Sequence, residues 1–178
     1  MLCVSAKVLR SAKGGAMTIR SGFSEWRRRW FGSARDGYYT ALGILRSRYA
    51  DEKQHAARFV QHAQKMHYPQ FRDALLRIAA DESKHVDWIG KKLNELGESL
   101  PAPPTMPTVE KNSWQYLLDD LEEERRCAAD LETDILRIES DYPDIVELLR
   151  RIDEEEGKHR DEIREMLMRS DPQALWPT

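Results

Sequence analysis

The sequence has few cysteines and no long apolar stretch, and these two absences exclude several classes of protein. Two cysteines in 178 residues cannot form a disulfide framework, so a reducing, cytoplasmic compartment is the default expectation. No run of about 18 apolar residues occurs, and 33% of the residues are charged. Both facts argue against a transmembrane segment.

Strand-forming residues are also scarce, and common nucleotide-binding and hydrolase motifs are absent from the sequence. Val, Ile and Thr together number 21, against 18 Leu and 16 Ala, a balance that favours helices over sheets. The sequence contains no P-loop, no dinucleotide-binding glycine motif and no nucleophile elbow. Because the length suits one domain with a sizeable core, we expect a single, mainly helical domain.

Basic residues are concentrated at the start of the chain. Residues 1–35 contain eight Lys and Arg and one acid, a charge of +7, which leaves −10 for residues 36–178. We interpret residues 1–36 as a basic N-terminal arm, a poorly ordered tail with a short docking helix. The alternatives are a targeting segment, an extension upstream of Met17, and an amphipathic helix over 24–31 that contacts a membrane surface or a partner. The negative charge of the remainder argues against nucleic acid as a partner.

Beyond the arm, apolar residues recur at the spacing of one helix face in four segments. Two short links containing Tyr-Pro join these segments into hairpins, and a proline-rich crossover, residues 97–112, separates the hairpins. This connectivity predicts an all-α, ferritin-like antiparallel four-helix bundle over residues 37–170, with Ser113 as the N-cap of the third helix. We expect helices over 37–66, 69–96, 113–138 and 143–168, a first hairpin over 37–96, a second over 113–170, and a C-terminal tail over 171–178.

The two predicted hairpins resemble each other in sequence. Tyr68 and Pro69 recur as Tyr142 and Pro143, and the pattern Ile-x-x-x-Glu-x-x-His-x-x-x-Ile that begins at Ile78 recurs 74 residues later. A duplicated helical hairpin explains both recurrences. Each hairpin alone has an apolar stripe that only the other hairpin can cover.

An acid interrupts the apolar seam of each predicted helix about midway along its length. Burying one unpaired carboxylate costs several kcal/mol, so four at one level of a core would take up protons or bind cations. Three of the acids have a His three residues later, on the same helix face, and two of these pairs, Glu82 with His85 and Glu156 with His159, lie at matching positions of the two hairpins. The predicted metal-ligating and catalytic residues are Glu52, Glu82, His85, Glu124, Glu156 and His159. An oxygen-rich set with one His per metal suits Fe or Mn better than structural Zn.

One Glu from each of two helices, with Glu-x-x-His from each of the other two, is the pattern of di-iron and di-manganese carboxylate bundles. At these residues the sequence resembles the ferritin-like superfamily, in particular its rubrerythrin-type and bacterioferritin-type di-iron domains, over about residues 37–170. The resemblance implies that Glu82 and Glu156 bridge two iron ions, that Glu52 and Glu124 are terminal carboxylates, and that His85 and His159 ligate one metal each. No Cys-x-x-Cys pair of a rubredoxin-like domain is present.

The sequence departs from the rubrerythrin pattern three residues after each lone Glu. Rubrerythrins place an extra Glu there in their second half, for peroxide chemistry, whereas this chain has Cys127, with His55 at the matching position of the first half. These two residues are either extra ligands or relays, or a packed His and a small buried Cys, and we favour packing. Glu123 is a rival ligand, but it lies about 100° off the apolar seam, so we prefer Glu124.

Several neighbouring residues have less specific interpretations. Four acids that directly precede the predicted ligands either contact the His rings or are solvated, and we favour solvation for Asp51, Asp81, Glu123 and Glu155. We interpret His62 and His67 as surface residues, because neither follows a Glu by three residues. Tyr49 is expected to be a packed aromatic residue.

These observations predict a di-iron or di-manganese oxidoreductase that reacts with H₂O₂ or O₂ and takes electrons from an unidentified donor, as a peroxidase or a ferroxidase. One alternative is a non-catalytic iron-binding or storage protein, and another is a helical interaction module that uses the basic arm. A manganese catalase-like activity is a further enzymatic option. These options stay open because the fold does not determine the function. A homodimer is compatible with each of them.

Overall fold

The computed structural model describes residues 19–102 and 110–170, with side chains from residue 35 onward. Within these residues the chain is all-helical and contains no strand, which confirms the predicted four-helix bundle. The helices are α1 (Ile19–Lys65), α2 (Pro69–Glu95), α3 (Ser113–Ile138) and α4 (Pro143–Arg169). The predictions for the start of the arm, the centre of the crossover and the C-terminal tail fall on residues 1–18, 103–109 and 171–178, outside the described residues.

The first helix begins earlier than the sequence pattern suggested. We expected it to start near Gly37, where the apolar periodicity begins, but α1 already starts at Ile19. No proline precedes Pro69, so nothing in the sequence forces the helix to stop. From Asp36 onward the chain forms one compact unit, which contains the bundle. None of the described helices is long and apolar enough to cross a membrane.

Local sequence chemistry determines the other helix ends. Proline occupies the first turn of both α2 and α4, where its missing N–H would have no partner in any case. The N-cap of α3 is Asn112, one residue before the predicted Ser113, because its side chain and that of Gln115 form a reciprocal capping box. At the end of α2, Gly97 has a φ of 78° and the amide of Glu98 donates to the carbonyl of Leu93 (3.0 Å), as in a Schellman motif.

The core of the bundle consists of two apolar clusters, and each contains side chains from all four helices. The first cluster includes Leu45, Tyr49, Ile89, Leu93, Leu131, Ile135, Leu149 and Ile152. The second includes Phe59, Ala63, Leu75, Ile78, Leu117, Leu121, Ile163 and Met166. Along every helix, the predicted ligands fall between the residues of one cluster and those of the other. The two clusters therefore enclose a polar layer.

The packing of the second cluster can be tested at neighbouring positions of α1. Phe59 is fully buried, whereas 40% of Val60 is exposed. We expect Phe59→Ala to lower the free energy of unfolding by about 3–5 kcal/mol, because it removes an aromatic side chain from a closed core. Val60→Ala should change it by no more than about 0.5 kcal/mol. Equilibrium urea unfolding measures both, and similar losses in the two variants would contradict the described burial.

Candidate metal centre

The polar layer contains all six residues that the sequence singled out as metal ligands. They come from four different helices, and the most exposed of them is 5% accessible to solvent. Glu52 lies on α1, Glu82 and His85 lie on α2, Glu124 lies on α3, and Glu156 and His159 lie on α4. Residues that are separated by more than 100 positions in the chain thus meet at one level of the bundle.

The six side chains form two adjoining groups that share one carboxylate. The first group is Glu52, Glu82, His85 and Glu156, and the second is Glu82, Glu124 and His159. Within each group the potential ligand atoms lie within 4.8 Å of one another. Since metal–ligand bonds of about 2.0–2.3 Å separate opposite ligands by about 4.0–4.6 Å, each group has the size of a single-ion site.

Several buried polar atoms of this layer have no hydrogen-bond partner. They are both carboxylate oxygens of Glu82, both of Glu124, Oε2 of Glu156 and Nδ1 of His159. A buried polar group without a partner costs about 1–3 kcal/mol, and more if it is charged. Such atoms are rare in native cores, and coordination to a cation satisfies them. The donor atoms present therefore fit two divalent cations.

Burial changes the proton affinity of the carboxylates. Desolvation raises the pKa of Glu52 and of Glu124 well above the usual value, and the negative charges of Glu82 and Glu156 raise both further. Burial also raises the pKa of Glu156, followed by the charge of Glu82. Because the ionised forms are unfavourable here, burial favours the protonated forms of these acids, and cations would compete with protons for them.

The pKa values of Glu82 and His85 are shifted in favour of the charged forms, unlike those of the other three carboxylates of the layer. Burial tends to raise the pKa of Glu82, but the close approach of the imidazoles of His159 (2.9 Å) and His85 (3.4 Å), without hydrogen-bond geometry, outweighs this effect and lowers it. For His85, burial tends to lower the pKa, but the neighbouring carboxylates of Glu52 and Glu82 raise it to about 11. Without metal, the shared carboxylate therefore stays ionised beside a protonated imidazole.

Each His of the layer turns one ring nitrogen towards the carboxylates and the other towards an acid on the opposite helix. His85 Nδ1 lies 3.3 Å from Glu52 Oε2, and its Nε2 lies 3.3 Å from Glu155 Oε2. His159 Nδ1 lies 2.9 Å from Glu82 Oε1, and its Nε2 lies 3.7 Å from Asp81 Oδ2. This is how metal-ligating His residues are commonly oriented. The preference for solvation was therefore wrong at Glu155, whereas Asp81 is beyond hydrogen-bond distance of the ring and 36% of its side chain is exposed.

Comparison with known proteins places the chain in a family. The family model of rubrerythrin matches residues 43–167, which include all six candidate ligands. The chain belongs to the rubrerythrin family. None of the curated proteins compared with the chain matches it. Family membership and the buried cluster of carboxylates and imidazoles together indicate a metal-binding rubrerythrin-type domain.

This rubrerythrin domain has another buried polar network beside the candidate centre. Asp120 is fully buried and accepts hydrogen bonds from His62 Nδ1 (2.8 Å) and Arg58 Nε (3.1 Å). The prediction that His62 lies on the surface was wrong. Asp120 lies one turn before Glu124, on the same face of α3, and this spacing was a signal that could have located the network. His67 is exposed and Tyr49 is packed in the first apolar cluster, as predicted.

The three supplementary candidates lie outside the two groups of the rubrerythrin site. Glu123, the rival of Glu124, is half-buried, and together with His55 and Cys127 it forms a separate group between α1 and α3. His55 and Cys127 are each 2% exposed, and His55 Nε2 lies 3.5 Å from Cys127 Sγ. These two residues are thus buried and in contact with each other.

The pKa shifts predict how the metal-free rubrerythrin domain responds to pH. The His85 pKa is about 11, against 6.5 in an unperturbed imidazole, so its stabilising contribution is complete below pH 6.5 and is lost as the pH rises towards 11. The raised pKa values of Glu52 and Glu124 act in the same direction. We expect the Tm of chelator-treated protein to fall between pH 6.5 and 10.

The control for this experiment is another His of the same chain. His85→Gln should flatten the decrease in Tm, whereas His67→Gln, a change at an exposed position, should leave it as in the unmodified protein. Differential scanning fluorimetry at matched ionic strength measures the three curves. A Tm that rises over this interval would contradict the assigned protonation states.

Proposed function

We propose that this rubrerythrin-family protein is a di-iron carboxylate oxidoreductase that reduces the O–O bond of H₂O₂ or O₂ with electrons from a separate donor. The observation that carries the proposal is the pair of adjoining groups that share Glu82. Together they offer four carboxylates and two imidazoles, one imidazole per group. Such an oxygen-rich set suits iron, and it also accommodates manganese.

In this proposal, each group would hold one ion. Glu52, Glu82, His85 and Glu156 would hold the first, and Glu82, Glu124 and His159 the second. Of the two carboxylates expected to bridge, Glu82 belongs to both groups, whereas Glu156 belongs to the first. When bound, a reduced iron pair supplies two electrons to the oxidant. Four ionised carboxylates would balance the charge of two divalent ions, so the buried layer would be electrically neutral and the cost of burial would be offset.

The remaining work of the site is done by the surrounding residues. Glu155 would orient the His85 ring through its 3.3 Å contact with Nε2, and Asp81 lies 3.7 Å from Nε2 of His159, so that Nδ1 of each ring faces the carboxylates. The apolar clusters on either side of the layer exclude bulk water, because residues such as Ile78 and Ile152 are 1% exposed. A dry, preformed set of ligands strengthens electrostatic interactions in the site and favours a small oxidant over a large substrate.

The shared position of Glu82 predicts unequal effects of ligand removal on metal content. Glu82→Gln should weaken the binding of both ions, because the carboxylate belongs to both groups. Glu124→Gln should weaken the binding of only one ion. We expect about two Fe per chain in the unmodified protein, about one in Glu124→Gln, and the lowest content in Glu82→Gln, measured by elemental analysis after anaerobic dialysis against limiting Fe(II).

The matched control is Glu122→Gln, because Glu122 lies on α3, two residues before Glu124, but is exposed. This variant should bind as much iron as the unmodified protein. Equal metal contents in Glu82→Gln and Glu122→Gln would contradict the assignment of the shared ligand. Elemental analysis of protein from cells supplied with both Fe and Mn identifies the metal that the site takes up.

The reaction itself can be followed by stopped-flow spectroscopy of the anaerobic Fe(II) protein. We expect H₂O₂ or O₂ to oxidise the bound iron at least about tenfold faster than free Fe(II). Glu156→Gln should abolish this acceleration, and Glu122→Gln should preserve it. If neither oxidant reacts faster than with free Fe(II), the redox proposal fails. An iron content far above two per chain would instead indicate storage.

A further inference from the structure

A third group of side chains with metal-ligating chemistry lies between α1 and α3. It consists of His55, Glu123 and Cys127, whose potential ligand atoms lie within 4.8 Å of one another. None of these residues belongs to the two groups described above. His55 and Cys127 are each 2% exposed, whereas 24% of the Glu123 side chain is accessible to solvent. The group is therefore buried on one side and open on the other.

The distances within this group resemble the edges of a coordination tetrahedron. Cys127 Sγ lies 3.5 Å from His55 Nε2, and His55 Nε2 lies 3.8 Å from Glu123 Oε1. Zinc-type bonds of about 2.3 Å to sulfur and 2.0–2.1 Å to nitrogen and oxygen place neighbouring ligands about 3.3–3.6 Å apart. The two distances that involve His55 are thus within a few tenths of an ångström of these values, and the third, between Cys127 and Glu123, is no more than 4.8 Å.

The orientation of the His55 ring supports the same interpretation. Its Nε2 faces Cys127 and Glu123, whereas its Nδ1 lies 3.6 Å from Glu124 Oε1 and has no hydrogen-bond partner. Metal-ligating His residues usually donate their second N–H to a carboxylate. His55 thus has one nitrogen available for a metal and the other directed at the carboxylate that would orient the ring.

We propose that His55, Glu123 and Cys127 form a third, mononuclear site for a thiophilic divalent cation such as Zn²⁺ or Co²⁺. A thiolate, an imidazole and a carboxylate together favour these ions over Mg²⁺ or Ca²⁺. Three protein ligands leave a fourth position open. Of the three ligands, Glu123 lines a cleft of about 470 Å³ together with Arg58 and Arg126, so the carboxylate is the side of the site that faces solvent.

The two arginines compete with the cation for Glu123. Arg126 donates to both carboxylate oxygens (3.0 and 2.5 Å), and Arg58 Nη1 lies 3.5 Å from Oε1. The Arg126 side chain is 61% exposed, so it can turn into solvent at small cost. We therefore expect Arg126→Ala to bind the cation more tightly than the unmodified protein, by about threefold or more.

Cobalt is a suitable probe, because a thiolate-to-Co²⁺ charge-transfer band requires a sulfur ligand. The two groups of the proposed di-iron centre contain no sulfur, so such a band reports the third site alone. We would titrate the metal-free full chain with Co²⁺ and record the near-ultraviolet spectrum. We expect a band that saturates at one equivalent per chain, disappears in Cys127→Ser and persists in Cys3→Ser.

Further variants separate this site from the proposed di-iron centre. Glu82→Gln should retain the charge-transfer band, and His55→Gln and Glu123→Gln should weaken Co²⁺ binding at least about tenfold, with helix content checked by circular dichroism. The proposal is overturned if the unmodified protein shows no band, or if the band survives in Cys127→Ser. It is also overturned if Glu82→Gln abolishes the band, whatever the outcome of the stopped-flow experiment.

Discussion

The burial of four carboxylates at one level of the bundle is the constraint on which the rest of the structure depends. Glu52, Glu82, Glu124 and Glu156 lie between two apolar clusters, where burial removes them from bulk water. Only protons, imidazoles or cations can compensate for this cost. The raised pKa values, the protonated His85 and the unpaired carboxylate oxygens are three consequences of that single arrangement.

Much of this arrangement could be predicted because it depends on short-range sequence relationships. Proline marks the starts of α2 and α4, and the position of each acid within an apolar seam places it in the core. The contacts of Glu155 and Asp81 with the opposite His rings could not be predicted, since they depend on the register between α2 and α4. The burial of His62 likewise depends on Asp120, which lies 58 positions away.

Cys127, where the sequence departs from the rubrerythrin pattern, lies in contact with His55 in the structure. Where the family pattern has a further carboxylate, this chain places a thiol against His55, and the ring of His55 extends from that thiol to the carboxylate of Glu124. His55 and Cys127 thus connect the polar layer with the group on α1 and α3, and Glu124 and His55 lie at their common boundary.

The division of the core into two clusters also affects how the molecule unfolds. Each cluster contains side chains from all four helices, so each half of the bundle has its own hydrophobic core. The halves are joined through helix backbones and through a layer whose cohesion depends on charge balance. Because unfolding free energy can differ between regions of one protein, a cation that neutralised the buried charges of this layer would strengthen the coupling between the two halves.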